Sequence, residues 1–426
     1  MQKNYFYRFL VVWFGQFISS IGSGLTAFTL GIYVFQLTHS ATSYSLVLLA
    51  AFLPSLLLKP IGGTLADRMN RRVLMVIGDV GSALGVIFIV FMMHQSINHL
   101  WVIYTGMIVS SIFVAFQNPA YKASVTDLVD KSFYTKSSGL MQLAESSKYL
   151  ISPILAGFLI KITDIKTVLI IDAMTFLFAI VSVFWIGIKN KSLHSIPENH
   201  FFKDFIEGFS YLFKNKSVFI LILIISFVTF FIGLFQALLG PMILSFTNAQ
   251  ALGFIMTVST TGMLVGSCFL GIFGKTSKKI PMVVMSLMLN GLFFSLFGIA
   301  TNMYVMTFFG FLFFLVLPFL NTSLDVLIRQ NVDNAIQGRL WAIVSLVSQL
   351  GMIIAFGTAG YLADNIFNPL LEPSGTLAKT IGLFIGVGDG RGIGLMFVIS
   401  GLLVFITAII IGQLKILKKL DSAVKE

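Results

Sequence analysis

The sequence predicts an all-α polytopic membrane protein, with about twelve transmembrane helices in two pseudo-symmetric six-helix bundles. Three observations predict it. Of the 426 residues, 57% are hydrophobic and only 11% are charged, against about 25% charged in soluble domains. Long runs carry no ionisable side chain, residues 217–246 among them, and this exceeds the ~20 residues that cross a bilayer. The two halves of the chain also resemble each other. A shift of about 203 positions sets Asn118 on Asn321, Asp130 on Asp333 and the triplet LAG at 155–157 on TAG at 358–360. Duplicated halves around a midplane site are a transporter architecture.

In order, the spans are expected at 9–35, 44–66, 72–93, 100–120, 139–160, 167–188, 217–246, 253–274, 282–300, 304–328, 340–363 and 393–414. The first is too long for a signal-peptide core, has no A-x-A site after it, and reads as a retained helix. With an even number of spans, both termini share a side. That side receives most of the lysines and arginines, from Lys3 and Arg8 to Lys418 and Lys419, while the other receives only Lys161, Lys166, Lys379 and Arg391. The termini are therefore expected to be cytoplasmic. The net charge of +11 then reflects this sidedness, not nucleic-acid binding.

The domains read as a first bundle over 1–188, a cytoplasmic linker over 189–216 and a second bundle over 217–426. Phe202, Phe205, Ile206, Phe209 and Phe213 recur at helical spacing in the linker, predicting an amphipathic helix on the inner membrane surface. Cys268 is the lone cysteine, so no intrachain disulfide is expected. His39, His94, His99, His194 and His200 lack metal-ligand spacing. No phosphate-binding loop and no nucleophile–base constellation stands out. Neither metal nor cofactor is expected.

The second span ends in GGTLADRMNRR, residues 62–72. This resembles the loop signature of the major facilitator superfamily, with Gly63, Leu65, Ala66, Asp67, Arg68, Arg71 and Arg72 in the family's positions and Asn70 in place of a glycine. Asn tolerates a left-handed backbone, so the turn is expected to be kept. Gly62 and Gly63 would allow close helix approach. The resemblance implies that Asp67 meets the start of the eleventh helix, near Gly338, Arg339 and Leu340. A helix N-terminus favours an anion by ~0.3–1 kcal/mol, so this contact would latch the two halves on the inner side. The second-half counterpart, GIFGKTSKK at 271–279, has no aspartate, and a second latch is expected to be weak or absent.

Ionisable residues inside spans cost ~2.5–3.5 kcal/mol on insertion scales, so each needs a partner, a cavity or a role. Lys59 and Asp79 match in depth and are expected to pair, with a structural or a catalytic purpose. Glu145 and Lys148, three apart, share a face of the fifth helix. They read as a local ion pair, or Glu145 as a proton carrier. Asp172 is expected to meet Lys161 or Lys166, or to admit protons from outside.

A polar stripe on the first span, Gln16, Ser19, Ser20, Ser23 and Thr26, lies on one helical side. Ser110, Ser111, Gln117 and Asn118 add to it from the fourth span, Ser226, Thr229 and Gln236 from the seventh, and Asn321 from the tenth. The family resemblance implies that these helices line a central cavity; ordinary interhelical hydrogen bonding is the alternative. Phenylalanine, 44 residues, would supply apolar walls for hydrophobic or amphiphilic ligands, or simply face lipid. The absence of clustered positive charge argues against phosphorylated substrates. On the fifth span, SPILAG (Ser152, Pro153, Ala156 and Gly157 being the packing positions) is similar to the G-P-x-x-G-G element of proton-antiporting exporters. The segments GRLWAIVSLVSQL and GDGRGIGLMFVISG look most like the bacterial macrolide-efflux branch. The implied function is proton-coupled efflux by alternating access in a bacterial plasma membrane, by a monomer with lipid, a small hydrophobic or amphiphilic substrate and protons as partners. A lipid or lysolipid translocator, an importer, and, outside transport, a membrane enzyme or scaffold are the alternatives.

Overall fold

A computed structural model describes residues 2–95, 97, 99–186, 215–273, 279–332, 334–414 and 417. Every regular element among them is helical. The helices form two compact units, and the tripeptide Ser40–Thr42 groups with the second.

The first unit holds α1 (Gln2–Thr38), α2 (Ala41–Arg68), α3 (Arg71–His94), α4 (Leu100–Leu128), α5 (Tyr134–Leu150), α6 (Ser152–Ile162) and α7 (Ile165–Ile186). The second holds α8 (Lys216–Leu244), α9 (Ala249–Phe273), α10 (Lys279–Ile299), α11 (Met303–Gln330), α12 (Asn334–Leu362), the short α13 (Asn368–Leu371) and α14 (Gly382–Ile385), and α15 (Arg391–Gln413). Among the described residues, eleven helices are long and apolar enough to cross a membrane, and α5 with α6, bent by 41°, make a twelfth if taken as one span. A single fifth span was expected from the sequence. Pro153, near the start of α6, has no N–H to donate, and its ring crowds the carbonyl four residues back, so the helix breaks there.

Within the first unit α3 packs on α4 and α7, and α1 on α5, α6 and α7. Lipid gives helices no hydrophobic drive to associate, so close backbone approach has to supply contact. Gly85 of α3 and Gly106 of α4 do this reciprocally: a Cβ on either would overlap the other's carbonyl. Gly62 abuts the Ala115 carbonyl of α4, whereas Gly63 faces open space. The Ser111 hydroxyl enters the backbone ladder of α2, donating to the Ala51 carbonyl at 2.8 Å and accepting from the Ser55 N–H at 3.0 Å. That insertion lies beside Pro54, one of two prolines inside α2.

Within the second unit α10 packs on α15 and α11, α9 on α11, and α8 on α12. Gly291 of α10 and Gly401 of α15 repeat the reciprocal close approach. The Phe235 ring lies 5.1–5.9 Å from those of Phe294, Phe297, Phe313, Phe314 and Phe397. Phe313 and Phe314, expected as cavity wall or lipid-facing, are thus buried among other rings; aromatic pairs gain ~0.5–1.5 kcal/mol beyond area. Phe308, on α11 with Phe313 and Phe314, is exposed. The expected surface helix with Phe202, Phe205, Ile206, Phe209 and Phe213 lies outside the described residues, as does 274–278 of the second-half loop.

Candidate functional site

The α2–α3 turn does not use a left-handed residue. Asn70 is extended, at φ −61° and ψ 114°, and its side chain caps α3 by accepting from the Arg72 N–H at 3.0 Å. Asn is favoured at this N-terminal cap, so a capping residue has replaced the expected turn geometry. The two arginines that follow are anchors inside the first unit. Arg71 Nη1 donates to Asp127 Oδ2 at 3.0 Å, to the Ala123 carbonyl at 2.9 Å and to the Thr126 hydroxyl at 3.0 Å, all on α4. Arg72 donates to the Phe184 carbonyl at 2.8 Å, with its guanidinium 4.9 Å from the Phe184 ring centre. Asp67 and Arg68 are exposed. Gly338 and Arg339 lie in the first turns of α12, with side chains outside the described ones.

The intramembrane charges are arranged differently from the expected pairs. Asp79 does not bond Lys59. It accepts from Gln16 Nε2 at 3.0 Å, and Gln16 Oε1 accepts in turn from Gln117 Nε2 at 2.6 Å. This chain crosses α1, α3 and α4. Asp79 is 2% exposed and Gln16 5%, so the carboxylate is sealed among neutral amides. Equal depth did not imply facing sides: Asp79 belongs to the buried stripe of α3 with Gly78, Ser82 and Gly85, while Lys59 is on the exposed side of α2.

Glu145 pairs with Lys122 of α4 at 2.9 Å, not with Lys148, and the pair is about half exposed. Lys59 lies within electrostatic reach of both members. Sequence spacing had put Glu145 and Lys148 on one face, but a cation from the adjacent helix meets Glu145 directly. Asp172 bonds neither Lys161 nor Lys166. It is buried on α7, accepting from the hydroxyls of Thr26 at 2.5 Å and Thr175 at 3.2 Å, with Lys148 within electrostatic reach. A Cβ on Gly22 of α1 would overlap both Asp172 and Thr175, which explains how α1 comes this close.

The remaining polar positions divide in two. Several tie helices together. Ser152 donates to the Ile21 carbonyl of α1 at 2.8 Å, and Ser152, Pro153, Ala156 and Gly157 are all buried on α6. Ser226 of α8 donates to the Val347 carbonyl of α12 at 3.0 Å, and Thr229 bonds the Ser348 carbonyl. Ser19 is buried; Ser20, Ser23, Ser110, Asn118 and Gln236 are half-buried; Asn321 is exposed. Outside the membrane, the Thr167 side chain and backbone N–H hold the Asp164 carboxyl below its usual range.

Sequence reasoning missed Asp127 and Asp364. Asp364 lies in the first turn of a π-helical segment, Ala363–Phe367, at the end of α12. It accepts from the Ser40 hydroxyl at 2.7 Å, the Ala41 N–H at 3.0 Å, and the Thr42 N–H and hydroxyl at 2.9 and 2.7 Å. It thereby gathers the tripeptide Ser40–Thr42, which groups with the same unit. Residue His39, just before, has a φ of 49°. A signal existed: an aspartate ending one apolar run and a Ser-Ala-Thr start to another, 322–324 positions away. No local pattern joins them.

Membrane-length helices, close glycine contacts and charges enclosed by amides and hydroxyls define a multi-pass α-helical membrane protein. The chain belongs to the Major Facilitator Superfamily, whose family model matches residues 12–246. It is 24% identical to Macrolide efflux protein A of Streptococcus pyogenes over 98% of both chains, and 24% identical to Multidrug resistance protein 2 of Bacillus subtilis over 88% of this chain and 94% of that one. The crystal structure of the nucleoside transporter NupG shares the fold, with a TM-score of 0.68 at 15% identity, covering 96% of this chain and 100% of that one. A bacterial homologue of the human lysosomal transporter Spinster, crystallised inward-facing, has a TM-score of 0.66 at 12% identity, over 99% of this chain and 96% of that one. The protein is a major facilitator superfamily transporter.

Proposed function

We propose that the protein exports hydrophobic or amphiphilic drug-like compounds from a bacterial cell in exchange for protons. It works by alternating access as a multi-pass monomer of the plasma membrane, with both termini cytoplasmic. Bundles over 1–188 and 217–426, joined by the 189–216 linker, are its moving parts. The efflux names of its relatives support the direction. The observation that carries proton coupling is Asp79, a carboxylate in the span region bonded by the neutral amide of Gln16, which Gln117 holds in turn. A membrane carboxylate needs a cation, water or a proton to offset its charge. With no cation in contact among the described residues, Asp79 is the group that takes and releases the coupling proton. Asp172, held by two hydroxyls, is the second carboxylate in this reading.

Asp67, with Gly63 and Arg68 and the α12 start at Gly338 and Arg339, forms the inner gate, and the membrane potential adds ~2.3 kcal/mol per charge per 100 mV. Ser19, Ser20, Ser23, Ser110, Asn118, Gln236 and Asn321 line the substrate path. Proteoliposomes with an imposed pH gradient, screened over macrolides and lipophilic dyes, test this. Wild-type protein should accumulate a compound uphill. Asp79→Asn should lose gradient-driven accumulation while retaining exchange of labelled for unlabelled substrate. Undiminished uphill transport by Asp79→Asn would refute the coupling role.

A further inference from the structure

The second unit encloses a small cavity among α8, α10, α11 and α15. Its volume is about 10 Å³, room for one water-sized group. The walls are apolar, with the rings of Phe231, Phe294 and Phe313 among them, and Asn290 of α10 supplies the single polar side chain. Asn290 is 3% exposed. Its Nδ2 donates to the Ser286 carbonyl, one turn back, at 3.0 Å. That bond fixes which way the amide points, because the flipped amide would set oxygen against oxygen. Asn290 Oδ1 is left buried on the cavity wall, with no hydrogen-bond partner among the described residues.

An orphaned buried acceptor costs stability, and an apolar side chain of the same shape would remove that cost. Water does not remove it: a buried water needs about two to four polar partners, and this wall offers one. An ion is worse still, because no charged side chain lines the cavity and a buried charge needs a partner. A neutral molecule with one donor on an apolar body meets both conditions, the donor bonding Oδ1 and the body keeping the walls dry. Ile232 is the one lining residue that is half-buried while the others are buried, so it marks the mouth. We propose that this cavity receives the hydroxyl of a lipophilic alcohol, whose apolar body passes out beside Ile232. None of the residues assigned above to the substrate path lines it. The inference therefore goes beyond the transport reading and adds a subsite for neutral hydroxyl compounds.

The test is photolabelling of the purified full-length protein in an uncharged maltoside. The probe is octanol with a diazirine on its chain, and adducts are located by peptide mass spectrometry. Its methyl ether, which has no donor, is offered at the same mole fraction in the micelles. The alcohol should label the cavity wall saturably, at Phe231 and Ile232 among other positions. Plain octanol should protect these positions, whereas octylammonium and octanoate should not. The ether should label them about five- to tenfold less, the range for one hydrogen bond to an otherwise unpaired buried group. Asn290→Leu should reduce labelling by the alcohol to the level of the ether. Freed of the orphaned acceptor, it should also withstand more SDS before unfolding. The proposal is overturned if the ether labels the wall as strongly as the alcohol, or if the alcohol leaves it unlabelled. It is equally overturned if Asn290→Leu labels as wild type, or is less stable than wild type or fails to fold. Because labelling is read without transport, a protein that takes the alcohol yet moves no compound in proteoliposomes would refute the exporter reading and leave the site standing. Uphill export by a protein whose wall stays unlabelled would do the reverse.

Discussion

Arg71 gives the most direct measure of what the signature loop does within the first unit. Its guanidinium bonds Asp127, the Ala123 carbonyl and the Thr126 hydroxyl, and the side chains of Arg71 and Asp127 are 22% and 8% exposed. Arg71→Ala removes those bonds and leaves Asp127 buried without its cation. Breaking a fully buried pair from one side costs ~3–5 kcal/mol. Partial exposure of the arginine reduces that, and about 2–3 kcal/mol is expected. Arg71→Lys should recover little, because one ammonium cannot both reach the three α4 acceptors of Nη1 and keep the Nε bond to the Ala66 carbonyl. Adding Asp127→Asn to Arg71→Ala should restore about half of the loss, since the stranded group is then neutral. The assay is reversible unfolding in mixed micelles with rising SDS, followed by tryptophan fluorescence. A loss below about 0.5 kcal/mol, the scale of exposed pairs, or full rescue by lysine would show that these contacts do not hold α3 to α4.

Ser111→Ala strands the Ser55 N–H and leaves the ladder of α2 open; a loss of about 1–2 kcal/mol is expected in the same assay, with Ser111→Thr milder. Gly85→Leu should prevent α3 and α4 from closing, giving aggregated protein by size exclusion, whereas Gly63→Ala, in open space, should elute as wild type. Asp364→Asn keeps the shape but gives up charge-assisted bonds to the Ala41 and Thr42 amides, roughly twice as strong as neutral ones; hydrogen exchange at those two amides should rise about tenfold, and unchanged protection would refute the grip.

Much of the fold was legible because apolar length and the side taken by basic residues are read one residue at a time. The bend at Ile151 could be read from Pro153, but weighing one proline against an unbroken apolar run needs tertiary context. The charged residues were less legible for a geometric reason. Lys59 and Asp79 share a depth, yet rotation about each helix axis decides their neighbours, and no count along one helix gives the azimuth of another. Spacing along the fifth span pairs Glu145 with Lys148, but Glu145 answers to Lys122 on a different helix. Asn70 shows the reverse case. The substitution in the signature was visible; that it caps α3 instead of bending the chain follows from where its side-chain oxygen falls.

The grip of Asp364 on the tripeptide Ser40–Thr42 of its own unit has a kinetic corollary. One carboxylate collects four donors from three successive residues, so a small outward slip would strand several together and gain nothing until water could reach them all. Such a grip behaves as a detent, not a spring. The tripeptide is seated or free, and its passage between the two should be abrupt.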